Sequence, residues 1–145
     1  MNRCRIWRER CAWLIGHAGM VAETWCVAVL VEVTVRWVSF ATILGRLARH
    51  AGSGQPIPIE PPTARRAVRM AFALLPFERT CLRESLILCR MYQRRHHHVE
   101  LRLGVQIENG TLKAHAWVED AHGTPLTESL GYLPLPLPLA TRQTC

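Results

Sequence analysis

The spacing of apolar and polar positions changes period near residue 98, which divides the chain into helices followed by strands. Residues 11–44 are rich in Val, Ala, Leu and Trp, but Glu23, Glu32 and Arg36 interrupt them. The apolar pieces between these charges are shorter than the ~20 residues a membrane-spanning helix needs. Glu32 and Arg36 stand four apart, the spacing of a pair on one helix face. One or two amphipathic helices are therefore expected here, packed on the rest of the fold or on a partner. Trp7, Trp13, Trp25 and Trp37 could also lie at a membrane interface, a contact the interrupted pattern disfavours.

Residues 51–62 contain Gly52, Gly54, Pro56, Pro58, Pro61 and Pro62 and read as a stiffened, extended linker. Thr63 can cap a helix over Ala64–Leu75, with Ala67, Val68, Ala71 and Leu74 as its apolar stripe and Pro76 as its stop. A second helix runs from Cys81 to about Arg95, with Thr80 as N-cap. Leu82, Ser85, Leu86, Cys89 and Tyr92 form its inner face, while Arg83, Glu84, Arg90 and Arg94 face water.

Beyond this helix the period becomes two. Val99, Leu101, Leu103, Val105 and Ile107 alternate with polar positions, as in a half-buried strand. Glu108-Asn109-Gly110 is a hairpin turn, Thr111–Glu119 a second strand, and Thr124–Leu130 a third. The fold class is α+β, with N-terminal helices followed by an antiparallel β-meander against which the Cys81 helix packs. The chain divides into a helical segment (1–50), the linker (51–62), a core (63–132) and a Pro-rich tail (133–145). In that tail the alternation of Leu and Pro over Leu133–Leu139 predicts a polyproline surface strand.

Composition narrows the function without choosing it. The chain has 145 residues, 49% of them hydrophobic and 20% charged, which suits one globular domain that needs no disulfides or metal to hold its core. The net charge of +7 comes from arginine, since Lys113 is the single lysine. The arginines are scattered along helices rather than interleaved with aromatics in a run, which argues against nucleic acid as the main partner. Six cysteines with no CxxC spacing, and an N-terminus without a signal-peptide pattern, predict reduced thiols in the cytoplasm, not a disulfide framework or a zinc site.

Two residues combine into chemistry. Cys81 falls at the start of a helix, where unpaired N–H groups and the positive end of the dipole favour a thiolate. His115 lies within the strand Leu112-Lys113-Ala114-His115-Ala116-Trp117-Val118-Glu119 and can take the thiol proton. Taken singly, each has a plainer reading: Cys81 as a small core thiol, His115 as a satisfied core histidine. Trp117 reads as packing on the His115 face, and Glu119 as an acid bonded to nearby backbone.

The segments Leu75-Pro76-Phe77-Glu78-Arg79-Thr80-Cys81-Leu82-Arg83-Glu84-Ser85-Leu86, Leu101-Arg102-Leu103-Gly104-Val105 and Ala114-His115-Ala116-Trp117-Val118-Glu119 resemble the transglutaminase-like leader peptidases of lasso-peptide biosynthesis. The resemblance covers roughly residues 63–130, and the chain is similar to the stand-alone peptidase part of the lasso B protein. It implies a papain/transglutaminase-like core and a cysteine protease that removes the leader from a ribosomally made precursor. A small leader-recognition protein would present the precursor, and an ATP-dependent cyclase would then close the macrolactam. By this likeness Cys81 is the nucleophile, His115 the general base, and an acid on the following strand the third member. No cofactor or metal is implied.

The position of that acid follows from register. Glu119 shares the His115 face, but four residues along a strand span about 13 Å. Asp120 points to the opposite face. A turn centred on Ala121–His122 places Glu128 opposite His115, where cross-strand Cβ atoms are about 5 Å apart, so its carboxylate can reach Nδ1. The family usually has Asp at this place, and Asp120 is the alternative. His96-His97-His98 stands where the family has a glycine-containing helix end; three consecutive side chains splay apart, so no metal site is expected. The backbone N–H of Cys81 is the expected oxyanion donor. Two other classes stay open: another thiol acyl-transfer enzyme such as a transglutaminase, and a non-catalytic module whose arginines grip an acidic partner.

Overall fold

A computed structural model describes residues 11–49, 54–129 and 131–136. Helix α1 (Ala18–Trp37) and helix α2 (Phe40–Arg49) are followed by α3 (Pro61–Ala73), α4 (Cys81–Arg94) and strands β1 (Val99–Glu108), β2 (Thr111–Asp120) and β3 (Leu133–Pro134). Residues 11–16 are helical as well. The architecture is the expected α+β arrangement of helices preceding an antiparallel sheet. Expectations for residues 1–10, 50–53, 130 and 137–145 lie outside the described residues.

The charges in the apolar N-terminal stretch do not split it. α1 is continuous over 20 residues and, with a mean hydropathy of 1.6 over an 18-residue window, is long and apolar enough by length and composition to cross a membrane. In this fold Val21, Thr24, Val27, Ala28 and Val31 are buried at helical spacing, on the side where α1 packs against α3 and α4. Its acids are paired with the protein's own arginines. Glu23 binds Arg94 at 3.0 Å and Arg95 at 2.6 Å. Glu32 binds Arg36 at 2.9 Å and Arg83 at 2.8 Å.

α3 begins two residues before the expected cap. Pro61 and Pro62 occupy its first turn behind Glu60, because the N–H groups that proline lacks have no helical acceptor there. Ala64, Ala67, Val68, Ala71 and Phe72 are buried, whereas Leu74 lies past the last turn and is 67% exposed.

α4 starts as predicted: the Thr80 hydroxyl accepts the Arg83 N–H at 3.3 Å, and Cys81 is the first helical residue. Its buried set is wider than one stripe and includes Ile87, Leu88, Met91 and Gln93, since α1 and α3 cover one side and the sheet the other. The helix closes with His96 at φ 60, the left-handed position usually given to glycine. The His97 N–H reaches the Tyr92 carbonyl and the His96 N–H the Gln93 carbonyl, both at 3.0 Å, which completes a Schellman motif. The neighbouring His97 ring donates Nε2–H to the Ile57 carbonyl at 2.7 Å.

Asn109 (φ 51) and Gly110 (φ 75) make the tight turn between β1 and β2, and the register pairs Gly104 with His115 and Leu101 with Val118. The third strand differs from expectation. The sheet order is β2-β1-β3, and Leu133–Pro134, expected as polyproline surface, pair with Val105 and Gly104 on the far side of β1. Residues 124–128 instead run beside the end of β2 without forming a ladder. Pro125 has no N–H to give, and Thr127 accepts the Val118 N–H through its hydroxyl at 3.1 Å, so only a single bridge, Glu119 to Pro125, forms. The Leu126 N–H reaches the Val118 carbonyl at 2.8 Å. Ala116, Val118 and Leu101 are buried, and α4 packs on this part of the sheet.

Candidate active site

The start of α4 and the middle of β2 meet at one cleft. Its volume is about 150 Å³, and its walls include Cys81, Ser85, His115, Ala116, Thr127 and Glu128. Cys81 is half-buried and carries a free thiol. The Thr80 cap leaves other N–H groups of the first turn without helical acceptors, and these face the helix end where the thiol lies. Cys81 and His115 share the cleft without a hydrogen bond between their side chains.

One buried contact ties the two elements together. Ser85, one turn after Cys81, donates its hydroxyl to the carbonyl of Ala116, next to His115, at 3.0 Å. A second anchor holds the helix from behind. Arg83 binds Glu32 of α1 and donates Nη1–H to the Glu78 carbonyl at 3.0 Å, which fixes the approach to Thr80 and Cys81. Arg36 and Arg83 hold the Glu32 carboxyl below its usual range, with the hydrogen bond from Arg36 the largest cause, against burial that pushes it up.

His115 is oriented on three sides. Its Nε2 lies 2.8 Å from the main-chain carbonyl of Glu128. A carbonyl only accepts, so Nε2 carries the proton in the neutral ring and Nδ1 keeps its lone pair. The ring is 6.3 Å from that of Trp117 and nearly parallel to it, and 4.9 Å from that of Tyr132. Trp117 is in turn held by Glu119, whose carboxylate accepts the indole N–H at 2.8 Å and the Arg102 Nε–H at 2.8 Å. Glu119 thus binds side chains, not the backbone expected from sequence. Gly104 lets the Trp117 ring approach β1 closely: a Cβ there would come within 2.7 Å of that ring and 2.8 Å of the Leu133 carbonyl.

The register argument brings Glu128 to His115, and the structure places it there through its carbonyl; the contact expected was carboxylate to Nδ1. Asp120 is engaged elsewhere. Its Oδ1 accepts the N–H groups of His122 and Thr124, both at 2.8 Å, and the Thr124 bond is the largest cause holding its carboxyl below the usual range. Asp120 therefore closes the turn after β2. Sequence reasoning missed Tyr132, which lies just before β3 in a stretch that carries no periodic signal. It also missed Arg65, Arg69 and Arg79, which line the cleft with Glu84. The i, i+4 spacing of Arg65 and Arg69 was the available sign. Among the described residues no cluster of His, Cys, Asp and Glu could hold a metal ion.

A helix-start cysteine facing a strand histidine, on a core of helices followed by an antiparallel sheet, is the arrangement of thiol acyl-transfer enzymes of papain-like build. The family model for the transglutaminase-like superfamily matches residues 25–134, more than half of the 145-residue chain, and the chain belongs to that superfamily. The superfamily includes cysteine proteases and acyltransferases. The match begins inside α1, so it takes in both the Glu32 anchor and the linker. No curated protein and no solved structure matches the chain.

Proposed function

We propose that this chain is a cysteine peptidase that removes the leader from a lasso-peptide precursor in the cytoplasm, working with a small leader-recognition protein and ahead of an ATP-dependent cyclase. The observation that carries the reading is the shared cleft of Cys81 and His115, with the His115 ring held through Nε2 by the Glu128 carbonyl. The likeness of the Cys81, Gly104 and His115 segments to that peptidase family supports the substrate class. In the reaction, His115 Nδ1 takes the Cys81 proton as the sulfur attacks the scissile carbonyl carbon. The oxyanion is received by the Cys81 backbone N–H. The imidazolium then protonates the leaving amine, and water hydrolyses the thioester with His115 again as base. The Glu128 carbonyl orients the ring in the role the family gives to an acid.

The test is incubation with a candidate precursor and its recognition protein, followed by mass spectrometry. Leader removal should be abolished in Cys81→Ala and largely kept in Cys89→Ala. Cleavage by Cys81→Ala at the wild-type rate overturns the reading. The breadth of the superfamily favours one other reading, transfer of the acyl group to an amine. Glycine methyl ester added to the same mixture would then appear in the product in place of water.

A further inference from the structure

The cleft beside Cys81 is lined by three arginines and two glutamates. Arg79 is committed to Glu84 at 3.7 Å. Arg65 and Arg69 have no ion-pair partner among the described residues, and Glu128, the remaining acid, is exposed. Arg65 and Arg69 stand four apart on α3, so they lie on one face about 6 Å apart along the axis. Like charges at this spacing repel, and the repulsion is relieved when an anion lies between them. Guanidinium groups also match a carboxylate through paired N–H donors. Arg66 of the same helix shows the contrast: it lies outside the cleft, 4.4 Å over the Trp13 ring.

We propose that Arg65 and Arg69 are specificity-determining residues that receive a carboxylate, so that the substrate segment reaching Cys81 carries an acidic side chain close to the reacting carbonyl. The peptide identity of that substrate rests on the peptidase reading; the carboxylate preference does not. The two can therefore be tested apart, with small alkylating reagents that need no precursor. Iodoacetate and iodoacetamide react alike, the thiolate sulfur forming a bond to the CH₂ carbon as iodide leaves, and they differ by one carboxylate.

The rate of each reagent is measured at individual cysteines in the native full-length chain by peptide mass spectrometry. Cys26, exposed on α1, gives the reference ratio of iodoacetate to iodoacetamide rates; Cys89, whose thiol burial pushes up to about 12, should stay unmodified and reports an intact fold. The ratio at Cys81 should exceed that at Cys26 by about tenfold at low salt and fall as ionic strength rises. In the Arg65→Gln/Arg69→Gln double variant it should drop to the Cys26 value, while Arg66→Gln should leave it high. A wild-type Cys81 ratio equal to that of Cys26, or a double variant that keeps the wild-type ratio, overturns the proposal. A high, arginine-dependent ratio in a chain that fails to cut precursor would leave this inference standing and remove the peptidase reading alone.

Discussion

Replacing Glu32 by glutamine removes one negative charge from behind the helix that presents Cys81, and its cost can be worked from the contacts. The Glu32 side chain is 5% exposed and bonds Arg36 and Arg83. Breaking a fully buried ion pair costs about 3–5 kcal/mol, because the stranded charge stays desolvated. Here the arginine side chains are 24% (Arg83) and 64% (Arg36) exposed and can rehydrate in part, so about 2 kcal/mol is expected at neutral pH. The pH dependence has a definite sign. The folded carboxyl titrates below its ordinary value of 4.5, so the stabilisation is complete above that value and is lost as pH falls through the folded one. Urea unfolding followed by far-UV circular dichroism at neutral pH and at about pH 3 reads both effects, with the wild-type advantage shrinking at the lower pH. A cost of Glu32→Gln below about 0.5 kcal/mol at neutral pH, the range of an ordinary surface substitution, would refute the anchor.

Gly104→Ala should cost about 1–3 kcal/mol by overpacking against the Trp117 ring and the Leu133 carbonyl, and should lower activity by shifting Trp117 against His115. Thermal unfolding and near-UV circular dichroism report it, and wild-type stability in this variant would contradict the close packing. Glu128→Gln keeps the main-chain carbonyl that holds Nε2, so leader removal should stay within about threefold of wild type, where loss of a triad acid can cost up to about 10⁴. Steady-state cleavage rates decide this, and a loss of about 100-fold or more would show that the carboxylate orients the ring.

Much of the site was legible because it depends on local rules. Thr80 as cap and Cys81 as first helical residue follow from capping chemistry, and the Asn-Gly turn fixes the register that pairs His115 with Gly104. Counting through the next turn brought Glu128 to His115, but no count can say which of its oxygens makes the contact. The strand assigned to 124–130 failed because alternation cannot register one missing donor at Pro125 and one hydroxyl standing in for backbone at Thr127. The continuous α1 was hidden for a related reason. Glu23 and Glu32 look like interruptions until Arg83, Arg94 and Arg95, far along the chain, neutralise them.

The hydroxyl of Ser85 and the carbonyl of Ala116 give the site a hinge pin of its own. The pin stands one turn from Cys81 and one residue from His115, so the spacing of these two side chains is tied within the cleft itself. Side chains deeper in the protein, such as Val68, Leu88 and Met91, can then be exchanged for others of similar volume with little drift in the chemistry. A lineage built this way can rewrite its interior while its reaction stays the same.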